Sequence, residues 1–262
     1  MKVILSRKGF DSQYGGMPSP ILPDGTLLSL PIPSKTDMET KYRDLYYGNS
    51  SYYDIIHTLN PNNKIKEEYN CHLDPDIREE IKDRPTEWKP TFGQEKTALR
   101  HLQKQGVGDL FLFFGWFRQT EYIAGQLCYK KDAPDWHVIY GYLQVGEIID
   151  TPTNIPAWLN GHPHAKMERW NNPNVIYTAS SKLSFLPQLS GAGCLQFSNR
   201  LVLTKEKCSR RVWNLPDFFR QIPISYNANS WKEDCFISAA KGQEFVFEAN
   251  DNALEWIKDI VQ

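Results

Sequence analysis

The sequence lacks long apolar runs and an excess of charge of either sign. Its formal net charge is −1 over 262 residues, which excludes a protein that binds nucleic acid through bulk positive charge; a local strip of cations for an extended nucleic acid remains open. No apolar segment approaches the ~18 residues of a membrane-spanning helix. The apolar run at residues 1–5 is cut off by Arg7 and Lys8 and is too short for a signal peptide, so we expect no membrane partner.

Paired cysteine motifs are also absent. The five cysteines are widely spaced, with no C-x-x-C. An odd, scattered set is typical of reduced thiols rather than of a disulfide framework. The pattern predicts a cytoplasmic protein with free thiols at Cys71, Cys128, Cys194, Cys208 and Cys235.

Several catalytic and nucleotide-binding signatures are missing as well. The chain contains no P-loop, no G-x-G-x-x-G turn and no H-E-x-x-H zinc motif, and it has no G-x-S-x-G nucleophile elbow. Aromatic residues, in contrast, are plentiful at 13%, with 8 Trp, 13 Tyr and 13 Phe. Such side chains build cores, and Trp and Tyr also form flat walls on which planar ligands stack.

The hydrophobic pattern predicts more strands than helices. Strands are expected at residues 2–5, 26–33, 108–117, 137–149, 174–180 and 194–204, and residues 243–261 are expected to form a strand that enters a C-terminal helix. Further helices are expected at 38–47 and at 91–106, where Thr91 and Gln94 form a capping-box pair and Gly106 ends the helix. The sequence therefore predicts a compact α+β fold, mostly β, as a single domain over residues 1–262.

Two of the expected strands resemble a known barrel. The stretches GDLFLFFGWF and IYGYLQVGEIID are similar to the barrel strands of PUA-like domains, the superfamily that includes EVE, YTH and ASCH. The resemblance implies a PUA-like barrel around residues 107–150 with added helices. It also implies that a nucleobase, often a modified one, is gripped in an aromatic pocket at the mouth of the barrel.

A second resemblance extends over most of the chain. The stretches SRKGFDSQYGGMPSPILPDGTLLSLPIP, CHLDPDI, GDLFLFFGWFR and GHPH together resemble the third of the nucleotide-modification-associated domain families. Those families occur in phage and bacterial gene neighbourhoods concerned with altered DNA bases. The resemblance implies a role near nucleotide or base modification, or in phage defence, and it implies no particular reaction, so the site has to be argued from residue types.

The long Pro/Gly segment after the first expected strand is one candidate binding loop. Arg7 and Lys8 leave that strand together, Asp11 follows, and Gly15 and Gly16 permit close approach of the backbone to a ligand. Cations beside such backbone suit phosphate or carboxylate. The alternative is that the prolines only stiffen a surface arm. Either way we expect residues 1–33 to be ordered and packed, because the segment carries Ile21, Leu22, Leu27, Leu28 and Leu30.

The stretch CHLDPD places imidazole, carboxylates and a thiol close together. With His162 and His164 of NGHPH, these are the residue types that bind Zn, Mn or Fe. The spacing, however, matches no established metal motif, and Asp74, Pro75 and Asp76 also fit a helix start before residues 77–83. We therefore assign no metal ligand, expect no metal requirement for folding and leave the cofactor open.

Trp116 and Arg118 lie at the end of the expected strand 108–117. Together they offer a stacking face and a fixed guanidinium fork, which suit a nucleobase and its phosphate. Trp116 is equally explained as an aromatic lid on the core. If strands 2–5 and 108–117 are parallel neighbours, Arg7 and Arg118 emerge at one rim.

Three functions follow from these candidates. The first is an enzyme acting on a nucleotide or nucleobase, with His72, Asp11 and His164 as catalytic groups. Its substrate-binding residues are expected to be Arg7, Lys8, Gly15, Gly16, Trp116 and Arg118. The second is a non-catalytic reader of a modified base, which needs an aromatic pocket but no convergent acid–base pair. The third is an interaction module, which would expose an apolar patch at residues 31–33.

Overall fold

The computed structural model describes residues 1–81, 84–96, 99, 105–226, 228–239 and 244–262. Strands dominate this part of the chain, which confirms the α+β, mostly β prediction. The strands are β1 (Lys2–Arg7), β2 (Ser19–Ile21), β3 (Ile32–Ser34), β4 (Tyr46–Tyr47), β5 (Ser50–Ser51), β6 (Asn70–His72), β7 (Thr91–Glu95), β8 (Leu110–Ile123), β9 (Gln126–Tyr129), β10 (Trp136–Ile149), β11 (Asn174–Ala179), β12 (Ala192–Cys194), β13 (Val212–Trp213), β14 (Phe236–Ile237) and β15 (Phe245–Glu248). The α-helices are α1 (Tyr52–Leu59) and α2 (Asp251–Val261).

A mixed nine-stranded sheet organises the fold. Its main path runs β15-β1-β8-β10-β11-β7, with β12 paired to β10, and β2 and β9 paired to β8. β8 and β10 are antiparallel and 14 residues long each. β1 lies parallel to β8 with Arg7 opposite Phe114, so the predicted strands 2–5 and 108–117 are indeed parallel neighbours.

Aromatic side chains fill the space against the sheet. Phe92 of β7 meets Phe111 and Phe113 of β8 edge to face, with ring centres 4.8 and 4.9 Å apart. This geometry is the one that aromatic pairs prefer. All three rings are fully buried, so the two strands are joined by side-chain packing although they are not neighbours in the sheet.

The C-terminal strand and helix form as predicted. β15 pairs antiparallel with β1. Asn250 then caps α2 by accepting a hydrogen bond from the Ala253 amide at 2.9 Å. The buried residues of α2 recur at helical spacing, which lays one apolar stripe on the core: Ala253, Ile257, Ile260 and Val261.

The opening segment is ordered and packed, as predicted. It forms a second core with α1, and its five apolar residues named above are all buried. Gly25 adopts φ +88° at the predicted turn, where the Thr26 amide donates to Asp24 Oδ1 at 2.9 Å. Pro and Gly here shape a covering loop whose apolar side chains lie inward.

The predicted helix at 38–47 is wrong. These residues form turns and the short strand β4, and the helix of this region is α1. Tyr42 and Leu45 are buried against the second core, and the Tyr42 hydroxyl donates to the Pro31 carbonyl at 2.6 Å. An irregular turn, rather than a helix, therefore directs the side chains of Tyr42 and Leu45 into the second core.

The start of the predicted helix at 91–106 is also wrong. Thr91 and Gln94 belong to β7, which pairs with β11, because burial of Phe92 in the aromatic core outweighs the capping pattern. Most of the remaining helix prediction falls on residues 97, 98 and 100–104, which lie outside the described residues. The strands predicted at 26–33 and 194–204 are reduced to isolated bridges, ends of β3 and β12, and a 3₁₀ turn at Asn199–Leu201.

Replacing Phe113 by Ala should destabilise the protein by about 3–5 kcal/mol, because it removes a fully buried ring and leaves a cavity. Urea unfolding followed by circular dichroism measures this loss. Tyr122→Ala on the same strand is the control, since Tyr122 is 64% exposed and should change stability by no more than ~0.5 kcal/mol. Equal effects of the two changes would contradict the assigned core.

Candidate functional site

A cluster of histidines and carboxylates lies where four separate segments meet. β6 carries His72 and pairs with β3. The chain after β6 bridges to β7 at Asp76 and Thr91, which brings Asp74 beside Gly93. A 3₁₀ turn at Pro163–Ala165 packs against β7 and β11 and carries His164. The position of each group is therefore set by backbone pairing between segments distant in sequence.

Asp74 lies at the centre of the cluster. Its Oδ2 is 3.8 Å from His72 Nε2 and 3.7 Å from His164 Nε2. Its Oδ1 accepts a hydrogen bond from the Gly93 amide at 2.7 Å and lies 3.5 Å from His162 Nε2. Donor atoms of His72, Asp74 and His164 all lie within 4.8 Å of one another, a grouping suited to a metal ion.

Further groups hold the outer ring nitrogens of the two facing histidines. His72 Nδ1 is 2.8 Å from Asp37 Oδ2, and Arg169 donates to the other oxygen of Asp37 at 2.9 Å. His164 Nδ1 is 2.7 Å from Asn174 Oδ1. Both imidazoles are therefore fixed in orientation by partners on the side away from Asp74.

Charge states in the cluster follow from burial and hydrogen bonding. Burial lowers the pKa of His164 to about 4 despite the opposing effect of Asp74, so His164 is neutral at pH 7. Burial acts to raise the pKa of Asp37, but hydrogen bonds from His72 and Arg169 outweigh it and lower that pKa. The pKa of Asp74 is likewise lowered despite burial, because His162 and the other imidazoles favour its charged form. Both carboxyls are therefore ionised at neutral pH.

The helix-start interpretation of Asp74, Pro75 and Asp76 is wrong. The described residues after Asp76, up to 81, form turns rather than a helix. Asp74 points at histidines, and Asp76 pairs with Arg84. The helix-start argument against metal ligands is therefore removed. His72 and His164, with ring centres 5.3 Å apart, do come together.

An open cavity of about 530 Å³ adjoins the cluster and is lined by His162, Leu73 and Thr91. Two indoles, Trp88 and Trp158, contribute flat walls. Its volume falls in the usual range of small-molecule sites, ~300–1,000 Å³. The cavity thus offers stacking surfaces next to polar, titratable groups.

The loop glycines and Asp11 mainly build a tight turn. Asp11 Oδ1 accepts from the amides of Gln13 and Tyr14, each at 2.7 Å. Gly15 has φ +88°, and a Cβ on it would lie 2.2 Å from the Phe10 ring; Gly16, at φ +69°, donates its amide to the Asp11 carbonyl at 3.0 Å. The cavity beside the histidines is lined by none of these residues.

The loop cations Arg7 and Lys8 do not line that cavity. Burial, and to a smaller extent Arg210, lowers the pKa of Arg7 against the opposing charge of Asp11, so these groups lie close together. Arg210 also covers the Trp116 ring at 4.1 Å. Lys8 lies 3.9 Å from Glu244 Oε1 and 4.6 Å from the centre of the Phe92 ring.

Consecutive residues of β7 separate Lys8 from the histidine cluster. Lys8 lies over Phe92, whereas a Cβ on Gly93 would collide with His164. Side chains of neighbouring strand residues point to opposite faces. Lys8 and His164 therefore lie on opposite sides of β7.

Arg118 does not share a pocket with Arg7 in this arrangement. Its guanidinium pairs with Asp135 at 2.8 Å and lies over the Tyr129 ring at 5.6 Å. In the sheet it stands beside Pro20, four residues past the partner of Arg7. The Asp135 carboxylate thus occupies the Arg118 guanidinium, which was expected to bind a phosphate.

Sequence reasoning missed Asp37, Arg169 and Asn174, which support the cluster from outside. The hydroxyl of Ser34, three residues before Asp37, donates to Asp37 at 2.8 Å. No motif in the local sequence marks Asp37 as part of a site. The sequence did group His162 and His164 with His72 and Asp74 as a candidate metal site, and the structure brings the four side chains together. The H-x-D and H-x-H spacings were the only local signals for this site.

Gly93→Ala should displace His164, since the added Cβ would lie 2.2 Å from the ring Cγ. We expect a loss of unfolding free energy of about 1–3 kcal/mol, measured by chemical denaturation. Gly161→Ala is the control, because a Cβ there meets nothing within 4 Å. A wild-type stability for Gly93→Ala would show that the contact is looser than described.

The free energy of unfolding should fall as the pH drops from about 6.5 towards 4. Burial, reinforced by Arg7, Arg210 and Arg211, lowers the pKa of His137 to about 3, and its Nδ1 accepts from the Trp213 indole at 3.0 Å. The unfolded chain, with an ordinary histidine pKa near ~6.5, binds the proton first. Each such histidine steepens the fall by up to ~1.4 kcal/mol per pH unit.

His137→Gln should reduce the slope of the unfolding free energy against pH by the contribution of about one proton, since Gln does not titrate. Denaturant titrations at several pH values between 7 and 4.5 give the slope. A slope identical to that of the wild type would mean that His137 is already protonated in the native state.

None of the helices in the described part of the chain is long and apolar enough to cross a bilayer. Comparison with curated proteins and with solved structures yields no significant match, so the likeness to PUA-like barrels stays a prediction. A family model does match: the one described as nucleotide modification associated domain 3 aligns with residues 2–248. The chain therefore belongs to the nucleotide modification associated domain 3 family, which associates it with nucleotide modification.

Proposed function

We propose that the protein is an enzyme that acts on a nucleotide or nucleobase in a base-modification pathway. The observation that carries this proposal is the convergence of His72, Asp74 and His164 beside a cavity with two indole walls. The family supplies the link to nucleotides. A set of buried groups held in fixed orientation is typical of a reactive centre.

The cavity suits a planar, polar ligand. A base stacked on Trp158 would lie against His162 at the inner end of the cavity. Asp44 and Asp76 also line it, and carboxylates accept hydrogen bonds from exocyclic amines of bases. Arg84 lies over Trp88 at 4.0 Å, so Trp158 is the wall that we propose for stacking.

His72 is the most exposed member of the cluster. Its side chain is 16% exposed, against 4% for His164 and 3% for Asp74. His164 is neutral at pH 7 for the reason given above, so its Nε2 offers a lone pair to the site. We keep His72 and His164 at the centre of the proposed catalytic site, with Asp74 rather than Asp11 as its carboxylate.

The cations near Trp116 have a second role in this proposal. Arg210 covers the Trp116 ring at 4.1 Å and lies near Arg7, and cations beside an aromatic ring are a combination that nucleic acids bind. We assign them to the phosphates of a substrate longer than one nucleotide. Arg118 contributes little, because Asp135 already pairs with it.

Two rival functions have less support. A reader needs an aromatic pocket without convergent titratable groups, whereas the cavity here is lined by His162, which lies 3.5 Å from Asp74 of the cluster. An interaction module would expose residues 31–33, but Pro31 is buried while Ile32 and Pro33 are half-buried in β3. The enzyme hypothesis accounts for more of the buried polar groups than either rival.

Calorimetric titration with unmodified and modified nucleosides and their monophosphates tests the assigned cavity. Trp158→Ala should weaken binding about tenfold or more, since a stacked base contributes ~1–3 kcal/mol and 1.4 kcal/mol is tenfold. Arg210→Ala should weaken binding of an oligonucleotide more than that of a nucleoside. Product formation, followed by mass spectrometry of the nucleosides, should be lost in His72→Gln and His164→Gln.

Tyr122→Ala serves as the matched control. Tyr122 lines a different cavity, of about 580 Å³, near Leu22 and Leu127, and its loss should leave nucleoside binding unchanged. Binding lost in Tyr122→Ala but kept in Trp158→Ala would place the ligand in the other cavity. Tight binding with no product from a modified or unmodified substrate would favour the reader.

A further inference from the structure

The proton on His72 is fixed by its partner. The Asp37 oxygens accept hydrogen bonds from Arg169 and Ser34, as a carboxylate does, so His72 Nδ1, at 2.8 Å from Oδ2, donates. In the neutral ring the other nitrogen, Nε2, then carries a lone pair. That lone pair belongs to the atom 3.8 Å from Asp74 Oδ2.

The proton on His164 is fixed in the same way by Asn174. The Asn174 amide nitrogen donates to the His164 carbonyl at 2.8 Å, which identifies its other terminal atom as the accepting oxygen. His164 Nδ1, at 2.7 Å from that oxygen, therefore donates. Its Nε2 is left with a lone pair directed at Asp74 Oδ2, 3.7 Å away.

His162 differs from the other two. Its Nδ1 accepts a hydrogen bond from the His164 amide at 3.2 Å, so the proton of the neutral ring lies on Nε2. That N–H faces Asp74 Oδ1 at 3.5 Å. His162 therefore turns its N–H towards the carboxylate, without a formed hydrogen bond, and presents no free lone pair to the centre.

Three acceptor atoms thus face one another with no proton assigned between them. Asp74, moreover, is a buried carboxylate, and the ionisable partners that the described part of the chain places beside it are three imidazoles. Removing a carboxylate from water is costly unless a cation compensates it. Mutual repulsion of the three acceptors and the charge of Asp74 both call for a positive ion at their centre.

We propose that His72 Nε2, Asp74 Oδ2 and His164 Nε2 together bind one divalent first-row transition-metal ion. Two imidazoles and one carboxylate suit Fe²⁺, Mn²⁺ or Zn²⁺, whereas Mg²⁺ and Ca²⁺ prefer oxygen ligands only. Asp37 and Asn174 act as the outer partners that commonly orient metal-binding histidines. Three protein ligands leave coordination positions open for water or substrate.

The observed distances are wide for a filled site. An ion about 2.1 Å from each donor holds the donors roughly 3.0–3.4 Å apart, against 3.7 and 3.8 Å for the two pairs that include Asp74 and up to 4.8 Å for the set as a whole. The three side chains therefore have to draw together on binding, by a few tenths of an ångström for the Asp74 pairs and by more for the two histidines.

Metal content tests the inference. The protein is stripped with a chelator and dialysed against Zn²⁺, Mn²⁺ or, without oxygen, Fe²⁺, and the bound ion is counted by mass spectrometry. We expect one ion per chain for at least one of these metals. His72→Gln and His164→Gln should each retain less than a tenth of that amount, and His162→Gln should weaken binding about 10–100-fold, as outer-partner changes do.

His57→Gln is the matched control. His57 is another half-buried histidine, bonded through Nε2 to the Ile65 carbonyl at 2.7 Å, and its loss should leave the metal content unchanged. Circular dichroism of each stripped variant checks that it folds. X-ray absorption of the loaded wild type gives a second readout, with two imidazoles and an oxygen ligand expected at ~2.0–2.2 Å.

A wild-type chain that retains none of the three metals would overturn the inference, and so would full retention by both His72→Gln and His164→Gln. Sulfur in the coordination sphere would overturn it as well. The inference uses the same side chains as the proposed function but does not depend on a nucleotide. Metal binding without nucleotide binding would contradict only the proposed function. Nucleotide binding without metal binding would contradict only this inference.

Discussion

The buried negative charge of Asp74 is the constraint on which the site depends. Its side chain is 3% exposed, yet hydrogen bonding keeps it ionised. Removal from water disfavours such a charge strongly, so the surrounding segments have to supply compensation. The Gly93 amide of β7 and the His162 N–H of the turn at residues 162–165 are those compensating groups, and they come from elements distant in sequence.

Elements with long apolar runs and local caps could be predicted from the sequence. β1, β8, β10 and β11 are strongly apolar, and α2 follows β15 with an Asn cap and a regular stripe. Their identity depends on burial and local hydrogen bonds, which a short window of sequence contains. The packing of the opening segment was predictable for the same reason, since its aliphatic side chains had to leave water.

Other elements depend on partners that no short window contains. Phe92 draws β7 into the sheet although Thr91 and Gln94 look like a helix cap. Asp74 and Asp76 likewise look like a helix start until histidines from residues 162–164 and Arg84 meet them. The identity of His72 and His164 as site residues could be predicted from their chemistry, but Asp37 and Asn174 are ordinary polar residues until the fold places them.

The support of Asp37 by Arg169 has a consequence for folding. This hydrogen bond joins residues 132 positions apart in the chain, and the bond from Asn174 to His164 needs β11 to be in place. Contacts of such large sequence separation form slowly, because long loops must close before they contribute stability. The histidine cluster therefore cannot acquire its geometry before these distant segments have met, and a chain arrested before the 162–174 region docks would carry its reactive residues without a working arrangement.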